Sequence, residues 1–219
     1  MTPGQLSALG ALIFSVVLLL VLLPGAIRSW RTYTGAGARR QEDATGRAPD
    51  PSPDRARRVA LCETLGYRPL GETVTRIPGG DEFASVLAAD DGWTYVLLAD
   101  GPPEPGLTGF YSAWPDGTWL GTIHPRGHPL EIPGLSLRIE TGSLPTAEAA
   151  HRELLSRLAE RHGPPRLVRS LPDVFARDAD YRIRFGGREL RPLVIRAIAP
   201  AACALLLMMI AVTLVLIAR

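Results

Sequence analysis

The sequence predicts an α+β fold, in which an antiparallel meander of five to six strands is flanked by two helices and stands between two transmembrane helices. Three observations support this prediction. Two long, uncharged apolar segments lie near the ends of the 219-residue chain. Between them, short apolar or alternating segments are separated by turn residues, as in antiparallel sheets. An amphipathic helix with start and stop signals follows the last of these segments.

The two apolar segments are long enough to cross a bilayer. Leu6–Ile27 has 22 residues and Ile198–Ala218 has 21, and neither contains a charged side chain. At 1.5 Å per residue each helix spans about 30 Å, the thickness of the hydrocarbon core. We therefore predict transmembrane helices within residues 1–27 and 198–219. A cleaved signal peptide is disfavoured because no basic residue precedes the first segment, and a transporter because neither segment has an ionisable group.

The arginines predict the orientation of these helices. Only Arg219 lies beyond the two apolar segments, whereas seven arginines lie between them and close to them: Arg28, Arg31, Arg39, Arg40, Arg188, Arg191 and Arg196. The positive-inside rule then places the middle of the chain in the cytoplasm and both short termini outside the cell. The small residues Ala199, Ala202 and Cys203 are a candidate packing face for the other helix or for another copy of the chain.

Charge divides the middle of the chain into three segments. Residues 28–58 contain eight arginines and four acidic residues, residues 59–163 contain seven and fourteen, and residues 164–198 contain eight and four. Two basic segments thus join an acidic domain to the cell membrane, where they suit the anionic lipid headgroups of the inner leaflet. Nucleic acid is excluded as a partner, because the acidic domain would repel phosphate and no recognition motif is present.

The basic residues also indicate the source of the chain. All 24 are arginine, and lysine and asparagine are absent, which is typical of a GC-rich bacterial genome. The absence of lysine excludes a P-loop lysine and a Schiff-base lysine. The isolated cysteines, Cys62 and Cys203, predict neither a disulfide nor a zinc site.

The local patterns divide the middle of the chain as follows. Residues 28–53 are rich in glycine, alanine, proline and charge without apolar periodicity, and they predict a flexible basic tether. Residues 54–163 predict the acidic α+β domain, and residues 164–197 a basic membrane-proximal segment. The predicted helices are Asp54–Leu65, Ala147–His162 and, in the last segment, Leu171–Phe185; the predicted strands are Glu72–Ile77, Phe83–Ala89, Trp93–Ala99, Leu107–Ala113, Thr118–Ile123 and Leu135–Glu140.

One loop of this domain has the residue types of a catalytic or metal site. His124 and His128 follow a predicted strand, and Asp116 lies in the preceding turn. Two histidines without a third placed ligand do not make a zinc site, so we predict no metal and no cofactor. Asp116 in Pro-Asp-Gly is a typical turn residue. His151, on the apolar face of its helix, is interpreted as a hydrogen-bonded core histidine.

Three tryptophans are the other candidates. Trp93, Trp114 and Trp119 lie on neighbouring predicted hairpins, where they either pack across strands in the core or form a ligand or partner face. Together these patterns predict a two-pass membrane protein with a non-enzymatic binding or assembly role, whose partner is another protein or a second copy. The alternative is a membrane-anchored hydrolase that uses the His124/His128 loop with Asp116.

Overall fold

A computed structural model describes residues 3–34, 41–77, 80–100, 106–127, 129–186 and 191–217. The chain divides into two compact units. The first contains the long helices from the two ends of the chain. The second, Arg40–Phe185, is called the body here and contains a sheet with its helices.

The described residues form eight strands and five helices, so the predicted α+β class is confirmed and the predicted count of five to six strands is wrong. A π-helical turn, Arg182–Gly186, follows the fourth helix. In chain order the elements are α1 (Pro3–Thr34), β1 (Gln41–Asp43), α2 (Pro53–Thr64), β2 (Tyr67–Ile77), β3 (Gly80–Ala89), β4 (Tyr95–Ala99), β5 (Thr108–Ala113), β6 (Trp119–His124), β7 (Leu130–Ile132), β8 (Leu135–Ile139), α3 (Leu144–His162), α4 (Leu171–Tyr181) and α5 (Arg191–Ile217).

The sheet is a meander only as far as β6. Its strand order is β1-β2-β3-β4-β5-β6-β8-β7, with antiparallel neighbours except for the parallel pair β6–β8. The chain passes from β6 to the edge strand β7 and returns as β8, which lies between them. The prediction omitted the short edge strands β1 and β7, and it began β2 at Glu72 rather than at Tyr67.

Helices cover both faces of the sheet. Along β3 and β4, Leu87 and Val96 belong to a buried cluster that includes residues of α2 and α3, whereas Val86 and Tyr95 belong to one that includes residues of α4. Successive residues of a strand point to opposite faces, so both faces of these strands are apolar. Burial of both faces explains why the sequence of the strand predicted over Trp93–Ala99 is almost entirely apolar.

The body extends beyond the predicted domain 54–163 at both ends. Strand β1, from the segment predicted as a tether, pairs with β2. At the other end four apolar residues from the segment predicted as membrane-proximal are buried in the α4-side cluster: Val168, Leu171, Val174 and Phe185. Residues 164–185 therefore contribute to the core of the body.

Two helices begin earlier than predicted. Ser52, rather than Asp54, caps α2 by accepting a hydrogen bond from the Arg55 amide at 3.1 Å. Ser143, rather than Thr146, caps α3. In both helices a proline lies in the first turn, where its missing N–H costs nothing, so the cap precedes it.

The first unit consists of α1 packed against α5. The side chains that are buried among its described residues are small: Ser15 and Ala26 of α1, and Ala201, Ala204 and Ala211 of α5. The predicted packing residues Ala199, Ala202 and Cys203 are exposed instead. The intervals between Ala201, Ala204 and Ala211 are three and seven residues, which is the spacing of one face of a helix.

One helix of the described chain is long and apolar enough to cross a membrane, over the 19 residues Leu9–Ile27. The apolar part of α5, Ile198–Leu214, is shorter. The second transmembrane helix therefore stays a prediction.

Candidate functional site

A buried row of polar side chains links α3 to the sheet. His151 of α3 is fully buried, with its Nε2 3.0 Å from Ser112 Oγ on β5 and its Nδ1 3.0 Å from Thr122 Oγ1 on β6. Ser112 Oγ lies 3.0 Å from Thr94 Oγ1. Burial lowers the pKa of His151 to about 3, so the ring is neutral. One ring nitrogen then donates and the other accepts, and both hydroxyl contacts are satisfied.

This row resembles a nucleophile and base only in its residue types. Ser112, Thr122 and His151 are all buried between the sheet and α3, so a substrate cannot reach the Ser112 hydroxyl. The row acts as a polar attachment of α3 in an otherwise apolar layer. The interpretation of His151 as a hydrogen-bonded core histidine is confirmed.

Asp116 lies in a surface pair that the sequence did not predict. Its Oδ1 accepts a hydrogen bond from the Thr118 amide at 2.9 Å, which is the turn role, and its Oδ2 lies 2.7 Å from His162 Nδ1 at the end of α3. These contacts, the Thr118 amide first, lower the pKa of Asp116. His162 lies 46 residues from Asp116, and no sequence signal joins a turn to a helix end at that distance.

Asp116 and His124 do not belong to one site. Asp116 precedes β6 and His124 ends it, so they lie at opposite ends of a strand about 17 Å long. His124 Nε2 donates a hydrogen bond to the Gly142 carbonyl at 2.7 Å, and its Nδ1 is buried without a hydrogen-bond partner among the described residues. His128 lies outside the described residues. Within the described ranges, no three His, Cys, Asp or Glu side chains are placed to hold a metal ion.

We expect the double substitution His124→Ala and His128→Ala to lower the free energy of unfolding by only about 1 kcal/mol, the worth of the lost His124–Gly142 hydrogen bond. Thermal melts of both proteins with and without a chelator, together with their metal content, test this. Stoichiometric zinc in the unsubstituted protein, lost in the variant with several degrees of melting temperature, would contradict it.

The three tryptophans do not share a surface. Trp114 and Trp119 are buried in separate clusters, on the α3 and α4 sides of the sheet. Trp114 Nε1 donates to the Gly163 carbonyl at 2.9 Å, and the Trp119 ring meets Tyr181 edge to face. Trp93 is half-buried against the Trp114 cluster. The prediction that these residues form a ligand or partner face is therefore wrong. Trp114 and Trp119 are buried, and their role is core packing.

A buried arginine fastens α2 to the sheet. The Arg55 side chain is fully buried, and its Nη1 lies 3.4 Å from Asp100 Oδ2 and 3.9 Å from Glu72 Oε2. Each carboxylate also accepts one hydrogen bond from a hydroxyl, since Ser85 donates to Glu72 Oε1 and Ser52 donates to Asp100 Oδ1. A buried guanidinium without such partners would be strongly destabilising. The cluster is thus an ionic attachment of α2 to β2 and to the end of β4.

Arg58, one turn further along α2, holds the two ends of the β4–β5 connection. Its Nη2 donates to the Ala99 carbonyl and its Nη1 to the Leu107 carbonyl, both at 2.9 Å. Its Nε donates to Asp54 Oδ2 at 2.8 Å. Arg55 and Arg58 therefore have structural partners in the sheet and its connections, whereas Arg57, on the same helix, is exposed and donates to the Pro53 carbonyl.

No protein-family model, curated protein or solved structure matches this chain.

Proposed function

We propose that this chain is a two-pass membrane protein, whose helices α1 and α5 hold the body at the cytoplasmic face of the cell membrane for a non-enzymatic binding or assembly role. One observation supports this above all others. Both helices have small residues at their mutual contact and large apolar side chains exposed around it, such as Phe14, Leu20, Val21, Leu206 and Ile217. Exposing an apolar surface of that extent to water is unfavourable, whereas contact between such a surface and lipid acyl chains is not.

The orientation rests on the arginines that border the two helices. Arg28 and Arg31 lie in the last turns of α1, and Arg191 and Arg196 lie in the first turns of α5. These cationic groups favour the cytoplasmic side and the anionic headgroups of the inner leaflet.

A binding role is favoured over catalysis because the polar side chains that could form a catalytic site are buried, have structural partners or lie far apart. The His151 row is buried, Arg55 and Arg58 attach α2 to the sheet, and Asp116 is distant from His124. The hydrolase alternative requires Asp116 and the His124 loop to share a pocket, and β6 separates them. The partner we propose is another protein or a second copy of the chain.

A topology experiment tests the proposal. Glu153 lies on the outer side of α3 with 64% of its side chain exposed, so Glu153→Cys in a Cys203→Ala background reports on the body. We expect an impermeant thiol reagent to label this cysteine only after the cells are permeabilised. Position 44, within the predicted tether, is unsuitable because Ala44 is buried.

The matched control is Thr2→Cys in the same background, which we expect to be labelled in intact cells. Cys62 is buried in both proteins and contributes little. Labelling of Glu153→Cys in intact cells would overturn the orientation. Release of the protein from membranes by alkaline carbonate would overturn the membrane insertion itself.

A further inference from the structure

A groove of about 480 Å³ opens on the body, where β1 and β2 meet the beginning of α4. Its lining includes Asp43 and Thr45 from the first strand and its turn, Arg68 from β2, and Arg169 and Ser170 before α4. A groove of this size falls within the range of small-molecule sites.

An irregularity in β2 lies beside the groove. The pairing of β2 with β3 shifts between Pro69 and Gly71, and Gly71 has φ +147°. A Cβ at Gly71 would lie 2.8 Å from Leu171 Cδ1 and still closer to Thr45 Oγ1, so a larger residue would force the groove walls apart. Thr45 Oγ1 accepts a hydrogen bond from the Glu72 amide at 3.1 Å, which fixes it on the same wall.

The groove carries charges that the body does not neutralise. Arg68 and Arg169 are exposed, and neither guanidinium has an ion pair or hydrogen bond within the described part of the chain. Most arginines of the body, including Arg55, Arg58 and Arg152, do have such partners. Two unpaired guanidinium groups in one groove are therefore unusual in this protein.

The groove also contains a carboxylate. Asp43 Oδ1 accepts a hydrogen bond from the Thr45 amide at 2.8 Å, and that bond lowers the pKa of Asp43, so the group is anionic at neutral pH. The beginning of α4 adds no binding charge of its own, because Asp173 Oδ2 accepts from the Arg169 and Ser170 amides. The groove thus offers two cationic donors and one anionic acceptor.

We propose that this groove binds a small anionic molecule that also carries a hydroxyl or ammonium group. Its phosphate or carboxylate accepts hydrogen bonds from Arg68 and Arg169, whose planar guanidinium groups match those oxygens in pairs. Its hydroxyl or ammonium group donates to Asp43. A bare dianion lacks that donor and is repelled by Asp43, so Asp43 selects for the hydroxylated or zwitterionic ligand.

Calorimetric titration of the detergent-solubilised full chain with glycerol 3-phosphate and with sulfate, a dianion without a hydroxyl donor, tests the proposal. We expect saturable binding of one glycerol 3-phosphate per chain, and weaker binding of sulfate. The double substitution Arg68→Ala and Arg169→Ala is expected to weaken binding of the ester at least about tenfold. Asp43→Asn is expected to reduce the difference in affinity between the two ligands, because the group that accepts the hydrogen bond from the hydroxyl loses its negative charge.

The matched control is Arg138→Ala with Arg161→Ala. These arginines are also exposed and unpaired in the described structure, but they lie outside the groove, so we expect less than about a twofold effect. Equal weakening in the two double variants would mean diffuse attraction and would overturn the site. Binding only to vesicles of anionic lipid, or no saturable heat at millimolar ligand, would overturn it as well. Glu153→Cys labelling is unaffected by any of these outcomes, so the membrane topology is judged separately.

Discussion

A polypeptide of residues 40–186 is expected to melt cooperatively in solution, whereas one of residues 54–164 is expected to be unfolded or aggregated. The shorter polypeptide lacks β1 and the buried side chains of Val168, Leu171, Val174 and Phe185. Burial of each such side chain contributes about 1.5–3 kcal/mol, so the four contribute on the order of 6–12 kcal/mol. That loss matches the whole stability of an ordinary domain, about 5–15 kcal/mol.

Two backbone hydrogen bonds are lost with the same segment. Arg166 N donates to the Ala113 carbonyl and Val168 N to the Gly92 carbonyl, each at 2.7 Å. The α4-side face of β3 and β4 would then meet water. Near-ultraviolet circular dichroism and thermal melts of the two polypeptides measure the difference.

The matched control is a polypeptide of the full length, residues 40–186, in which the packing of α4 against the sheet is disrupted. Val174→Asp in residues 40–186 places a charge in the α4-side cluster, and we expect it to reproduce the failure of the shorter polypeptide. A cooperative melt of residues 54–164 equal to that of residues 40–186 would show that α4 is outside the cooperative core.

Acidification is expected to destabilise the body through His151. The pKa of this ring is about 3 in the folded protein, against an unfolded value of about 6.5. The unfolded state therefore binds the proton first as the pH falls. The stability that the neutral ring contributes is complete above pH 6.5 and is lost progressively between pH 6.5 and 3. From pH 7 to pH 5 the loss from this one group is about 2 kcal/mol.

Chemical denaturation at several pH values measures this loss. In His151→Gln the side chain cannot ionise, so the free energy of unfolding should fall less steeply between pH 7 and pH 5 than in the unsubstituted protein. The control is His162→Gln, since His162 is partly exposed at the surface. Equal pH dependence in all three proteins would mean that His151 becomes protonated in the folded state without cost.

The sequence predicted elements best where periodicity and turn residues agreed. Strands β3 to β6 and helix α3 lie within a few residues of their predicted positions, because glycine- and aspartate-rich turns and a Gly-Pro-Pro stop separate them. The edge strands were missed for a physical reason. Gln41–Asp43 and Leu130–Ile132 have three residues each, and their pairing depends on a neighbour rather than on their own composition.

Contacts between distant residues explain the other differences. The charge of residues 164–198 indicated a separate membrane-proximal segment, yet the apolar positions of α4 occur at helical spacing and are buried against the sheet. The buried row at His151 had a visible signal, since Ser112 and Thr122 are polar positions in largely apolar strands. The groove at Arg68 and Arg169 had none, because it depends on tertiary packing that brings residues 101 positions apart to one surface.

The position of β8 between β6 and β7 has a consequence for the order of assembly. Strands β7 and β8 are joined by only Pro133 and Gly134, and Gly134 has φ +83°, as a tight turn of this type requires. A hairpin with so short a loop forms within microseconds, before distant strands meet. We therefore expect β7 and β8 to pair with each other before β8 pairs with β6, because the partners in the parallel β6–β8 ladder lie 16 residues apart along the chain.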